Sequence, residues 1–268
     1  MIDAFAHAAQ VLDQPRFADA AAKAADFLLH RMRTKDGRLL RTAGAGGEAK
    51  LNGYLEDYSF LINALVSLYE ATFAPHWIEA ALDLTQMMIE QFWDPADGGF
   101  FYTGRDHERL IARGKEPQDN AIPSGNAMAV TAMLRLAKLT GRVDLMEKAE
   151  ATLQLFRGLM ATHPMAAGQM LNALDFFLGP VEEFAIVGDP AAEETLRVLR
   201  AIRRGFRPNK VVALKRSESN AARIEEVLPL LRGKTAAGTV TTHICQNFTC
   251  QAPLMGAAAL ESALEAGA

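Results

Sequence analysis

The sequence predicts a mainly α fold of helical hairpins, with a small α/β element at its C-terminal end. Three observations carry this. Apolar residues recur at helical spacing through long segments before Gly179-Pro180. The order of helix, turn and short extended piece occurs twice. Met32…Asp36-Gly37…Leu39-Leu40…Thr42 matches Phe92…Asp97-Gly98…Phe100-Phe101…Thr103, offset by 60 residues before the turn (92 − 32) and 61 after it (97 − 36). Beyond Gly179-Pro180 the pattern changes to strands alternating with helices. The expected division is therefore a helical portion over 1–180 and a βαβ element over 181–268, packed on the helices.

The elements follow in order. An alanine-rich segment from Phe17 to Met32 reads as a helix, Asp36-Gly37 as a turn, Arg38 to Thr42 as an extended piece, and Ala43 to Lys50 as a loop. From Leu55 to Phe73 apolar residues cover most of the circumference, which marks a helix surrounded by protein. From Trp77 to Phe92, Glu79, Asp83, Gln86 and Glu90 form one polar stripe, as on an outer helix. A second echo, Leu68 to Leu136 and Ile78 to Met146, has an offset of 68 residues (136 − 68). Inner helices at 55–73, 124–140 and 170–178 thus alternate with outer ones at 17–32, 77–92 and 145–160, as in stacked hairpin repeats. Strands are expected at 183–188, 209–214 and 240–245, helices at 191–204 and 222–231, and a short helix in the tail from Gly256.

Composition excludes several classes. A chain of 268 residues that is half apolar buries a sizeable core. A net charge of −4 argues against general nucleic-acid binding. No apolar run approaches the roughly 20 residues of a membrane span. The N-terminus has no basic stretch ahead of an apolar one, and two cysteines make no disulfide scaffold, so a cytoplasmic protein is expected. Neither a G-x-G-x-x-G nor a G-K-[ST] pattern stands in the turn directly after the strand, at Val187-Gly188-Asp189-Pro190, and no cofactor is expected.

Polar chemistry concentrates in Arg113 to Asn126, a loop punctuated by Pro117, Pro123, Gly114 and Gly125 just before a helix. Cys245 and Cys250, with His243 close by, are three soft ligands where a closed zinc site needs four, so no metal is expected. They read as packed thiols or as a redox pair.

Leu55-Glu56-Asp57-Tyr58, Phe92-Trp93-Asp94…Asp97-Gly98-Gly99-Phe100-Phe101, Arg113-Gly114-Lys115, Asp119 to Asn126, Val187-Gly188-Asp189 and Cys245 to Pro253 stand in an order that resembles the C-terminal part of the YyaL / spermatogenesis-associated protein 20 family. That family pairs a thioredoxin-like domain with an α/α toroid like those of N-acylglucosamine 2-epimerases and six-hairpin glycosidases. The resemblance implies an incomplete α/α (six-hairpin-like) toroid here, with about three hairpins, no thioredoxin-like domain and no Cys-x-x-Cys. An open toroid implies self-association or a partner carrying the rest.

In such a toroid the loops leading into inner helices face one end, which implies a pocket there for a sugar-like molecule. Glu56, Asp57 and Asp119 are the candidate acid–base carboxylates. Arg113, Lys115, Ser124, Asn126, Tyr58 and Trp93 are the candidate substrate contacts. Structural roles compete: Glu56 and Asp57 suit a helix's first turn, and Ser124 suits an N-cap. Epimerases of this fold use histidines on inner helices. His7, His30, His76, His107, His163 and His243 all fall outside the inner helices expected here, which favours glycosidase-like over epimerase-like chemistry. The alternatives are a non-catalytic interaction domain, or a redox-linked module in which Cys245 and Cys250 work with a thioredoxin-like domain or partner chain.

Overall fold

The computed structural model describes residues 1–44, 46–108, 110–216, 221–246 and 249–266. Asn247 and Phe248 of the C-terminal motif, and the last two residues of the expected tail helix, lie outside them.

Four inner helices stand side by side in an arc: α1 (Ile2–Val11), α3 (Leu55–Thr72), α5 (Gly125–Thr140) and α7 (Gly168–Leu178). Each of the first three is backed by an outer helix, α2 (Pro15–Arg31), α4 (His76–Phe92) and α6 (Val143–Thr162). This is an open portion of an α/α toroid. Between α2 and α3, β1 (Leu40–Ala43) and β2 (Ala49–Asn52) form an antiparallel hairpin, so the expected 43–50 loop is strand at both ends.

One correction matters for function. The expected array began with the helix at 17–32 and had three inner helices; the structure adds α1. Its small residues Ala6 and Ala9 are buried, which lets it pack closely against its neighbours. Too short and alanine-rich to declare itself by periodicity, α1 is stabilised by tertiary contact. His7 therefore does lie on an inner helix, and the argument against histidine chemistry loses its premise.

After α7 come β3 (Glu182–Gly188), α8 (Glu193–Arg204), β4 (Lys210–Lys215), α9 (Ala221–Val227), β5 (Val240–Gln246), β6 (Thr249–Cys250), β7 (Leu254–Met255) and α10 (Gly256–Ala266). β3 and β4 are parallel around the α8 crossover, whereas β5 runs antiparallel to β3, in the order β4-β3-β5-β6. Alternation gives the sheet two apolar faces. Phe184, Ile186, Val212 and Ile244 pack with Val198 and Ile202 of α8 and Leu260 of α10. Ala185, Val211 and Ala213 join the core of the helical arc.

The α3 helix also finishes the sheet. Edge strand β4 would leave amide groups unpaired. Instead Glu70 Oε1 accepts from the Val212 amide at 3.1 Å, and Tyr69 Oη accepts from the Leu214 amide at 3.3 Å. Fully buried there, the Tyr69 phenol is pushed well above its ordinary value. Lys138 of α5 pairs with buried Glu183 of β3 at 3.1 Å.

Candidate functional site

The N-termini of α3 and α5 meet. A Cβ added to Gly125 would lie 3.1 Å from the Leu55 side chain and 3.3 Å from the Glu56 amide. A side chain there would force the start of α3 to give by a few tenths of an ångström. Around this end the expected site residues fall into separate networks. Arg41 holds Glu56 at 2.9 Å and Asp57 at 3.0 Å, and its guanidinium sits over the Tyr54 ring. Asp57 Oδ2 also accepts the Tyr54 amide at 2.8 Å, closing the first turn of α3. Burial pushes the Asp57 carboxyl above the usual range, with Glu56 adding to the effect, against the Tyr54 amide and Arg41. Tyr102 donates to Glu56 Oε1 at 3.3 Å, and its ring stacks on Tyr54, which in turn contacts His107.

Asp119 is occupied elsewhere. Its Oδ1 accepts the Ser124 amide at 2.9 Å and its Oδ2 the Gln169 amide at 2.8 Å, tying the start of α5 to the start of α7. Ser124 caps α5 through Oγ, which accepts from the Ala127 amide at 3.0 Å. Asn126, fully buried, bonds both the amide and the carbonyl of Phe100, at 2.8 and 2.9 Å. Lys115 pairs with Asp94 at 2.7 Å and donates to the Gly98 carbonyl, so Asp94 titrates below the usual carboxylate range. Arg113 donates to the carbonyls of Gln91 and Thr103 and stacks on Phe101. Tyr58 is buried, and its hydroxyl receives Arg38 at 2.7 Å and the Leu39 amide at 2.6 Å. Trp93 packs edge-on against Phe100, with the Lys148 ammonium near its face. Asp57 and Asp119 share no partner in these contacts.

The structure assembles a larger polar site on the concave face of the arc. A cavity of about 430 Å³ is lined by His7 of α1, Asn63 and Glu70 of α3, Thr131 and Arg135 of α5, Gln169, Asn172 and Asp175 of α7, and Phe206, Pro208, Asn209 and Lys210 beyond α8. Arg135 is its centre. It donates to Asn63 Oδ1 at 2.7 Å, to Ser67 Oγ at 3.0 Å and to Glu70 Oε2 at 2.7 Å. Gln169 bonds Thr131 at 2.9 Å, and Asn209 bonds Asp175 at 2.7 Å. Burial is the main cause that pulls the Lys210 ammonium below its ordinary value, and Arg135 and Arg207 add to it against the pull of Glu70.

A second cavity, of about 380 Å³, lies between α1 and the start of α3 and is lined by Asp3, Glu56, Asp57, Phe60 and Leu61. Asp3 stands between the two: its Oδ1 accepts from Ser67 at 2.7 Å and Asn63 at 3.3 Å, and lies 3.5 Å from His7 Nε2. Burial opposes its charge, but the bonds from His7 and Ser67 and the field of Arg135 hold it below the usual carboxylate range.

These concave-face residues left a trace in the sequence. Asn63, Ser67 and Glu70, and Thr131, Arg135 and Lys138, are polar stripes at spacings of three and four inside otherwise apolar helices. A stripe facing a groove reads as minor interruption when most of the circumference is apolar.

Cys245 and Cys250 are joined as a disulfide. No helix among the described residues is long and apolar enough to cross a membrane.

No protein-family model matches the chain. Spermatogenesis-associated protein 20 of Rattus norvegicus is 34% identical over 267 residues, covering 95% of this chain and 33% of the rat protein. The Homo sapiens protein is 32% identical over 264 residues, covering 95% and 34%. Among solved structures, cellobiose 2-epimerase from Bacillus thermoamylovorans superposes with a TM-score of 0.49 at 16% identity, over 58% of this chain and 42% of that one. The chain spans about a third of the length of the curated relatives it matches. Nearly the whole of it is thus homologous to a one-third portion of spermatogenesis-associated protein 20.

Proposed function

We propose that the concave face binds an uncharged, polyhydroxylated small molecule of the sugar class. The observation that carries this is the convergence on one cavity of side chains from all four inner helices, with Arg135 at the centre. Within the site Arg135 is paired with Glu70, and at its edge the Asp3 carboxylate is held by hydrogen bonds from Ser67 and Asn63. A strongly charged ligand would gain little from such a wall. Hydroxyl groups both donate and accept, so they suit a surface of amides, paired charges and a threonine hydroxyl. Phe176 and Phe206 on the same cavity supply apolar surface for the C–H face of a ring.

Chemistry on that ligand would fall to Glu56 and Asp57 in the adjoining cavity. Asp57, whose carboxyl burial pushes above the usual range, lines that cavity beside Glu56. His7 supplies an imidazole on the same face, so histidine-based proton transfer stands beside the carboxylate route.

The test is a thermal-shift and calorimetric screen of mono- and disaccharides, with proton NMR following hydrolysis or epimerisation of any that bind. Ligand stabilisation is expected in the parent and lost in Asn172→Ala, whose side chain lies exposed at the groove. A screen in which no sugar stabilises the parent sinks the proposal. Turnover abolished by Asp57→Asn but kept in His7→Gln would assign the chemistry to the carboxylates.

A further inference from the structure

We propose that Cys245 and Cys250 form a thiol–disulfide exchange site for a dithiol reductant, entered at Cys250. The two residues are direct register partners across the antiparallel β5–β6 pair. Their exposures differ sharply: Cys245 is buried, at 1% exposure, and Cys250 is exposed. An external thiolate therefore reaches only one of the two sulfurs, which gives the exchange a direction.

The surroundings distinguish this bond from a structural staple. It closes a very short ring, where a cross-link removes the least chain entropy. β5 is held independently by six register pairs with β3, from Glu183↔Cys245 to Gly188↔Val240. Among the described residues, two-residue β6 pairs with Cys245 and Gln246 alone. Opening the bond thus releases a short edge strand and leaves the sheet standing. Behind Cys245 the same sheet face carries His243 two residues away, with a buried Nε2 lacking a partner among the described residues, and Glu183 across the register, paired with Lys138. Burial, with Lys234 and Lys215, keeps the His243 imidazole below its ordinary pKa.

The reductant's thiolate attacks Cys250 Sγ, the Sγ–Sγ bond breaks, and its electron pair leaves on Cys245 Sγ, which takes up the proton given up by the reductant's second thiol. The reductant's second thiolate then attacks its own sulfur in the mixed disulfide, and Cys250 leaves as a thiolate that is protonated in turn. Two electrons pass to the protein pair, and the reductant departs as a disulfide.

The experiment uses the full chain, folded, in graded ratios of reduced to oxidised dithiothreitol, followed by iodoacetamide and mass spectrometry. The expected result is reversible conversion between zero and two alkylated cysteines with an unchanged far-ultraviolet dichroism spectrum. Within the reduced protein, Cys250 is expected to label at least about tenfold faster than Cys245. A bond that opens only with added denaturant overturns the proposal, as does labelling of Cys245 at the rate of Cys250 or failure of the reduced pair to re-form.

Discussion

Glu70 Oε2 lies 2.7 Å from an Arg135 guanidinium nitrogen, while its other oxygen takes the Val212 amide of the edge strand. One carboxylate thus joins the wall of the concave groove to the α/β element. Both side chains of the ion pair are about nine-tenths buried. Removing one partner leaves the other charge without compensation, so Glu70→Ala should lower unfolding stability by about 3 kcal/mol, with Glu70→Gln costing less because it still accepts from Val212. Urea unfolding curves of the two variants check the order.

Asp119 shows a positioning function in its contacts, since both oxygens receive backbone amides from two different inner helices. Asp119→Ala should cost about 2 kcal/mol, and Asp119→Asn roughly half of that because one acceptor survives. If sugar binding per folded molecule falls in the Asn variant while its melting temperature stays put, Asp119 instead touches ligand.

Asn126 pairs with Phe100 as a neighbouring strand would, accepting from the amide and donating to the carbonyl. Replacing the amide by a carboxylate turns a donor toward a carbonyl oxygen into an acceptor. Asn126→Asp should therefore destabilise at neutral pH by about 2 kcal/mol or more, comparably to Asn126→Ala. Thermal unfolding of both variants, repeated at acid pH where the carboxyl regains a proton, would reveal a partial recovery confined to Asp.

The depressed Asp3 carboxyl gives a pH dependence of defined sign. Its folded pKa lies below the unfolded one, so its contribution is complete above the ordinary carboxylate value and is lost as pH falls through the folded value. Asp3→Asn should lower stability at neutral pH and flatten the stability profile below about pH 4. Denaturant unfolding between roughly pH 2.5 and 6 measures both effects. Parallel profiles for the two proteins would mean that Asp3 is not coupled to His7 and Ser67 as described.

The hairpin architecture was legible because long helices declare themselves locally: Leu55–Thr72, His76–Phe92 and Gly125–Thr140 all match the pattern of apolar spacing. The strand order Glu182–Gly188, Lys210–Lys215, Val240–Gln246 was equally visible in runs of β-branched and apolar residues. α1 was not, since a short alanine-rich helix holds together only through what it packs against. The site shows the same division. The residues that stood out in sequence, Asp119, Ser124, Asn126, Arg113 and Lys115, cluster in one loop, and a crowded polar loop marks backbone groups that need partners as readily as a ligand site.

By itself, then, the sequence determined the helix and strand menu, the inner and outer alternation, the N-cap at Ser124 and the acidic first turn at Glu56 and Asp57. These depend on periodicity and on neighbours a few residues away. Only the tertiary structure decided which polar side chains share a cavity. Arg135, Asn63, Glu70, His7, Asn172 and Lys210 come from five separate elements, and the distances among them depend on how the helices pack, which no local pattern encodes.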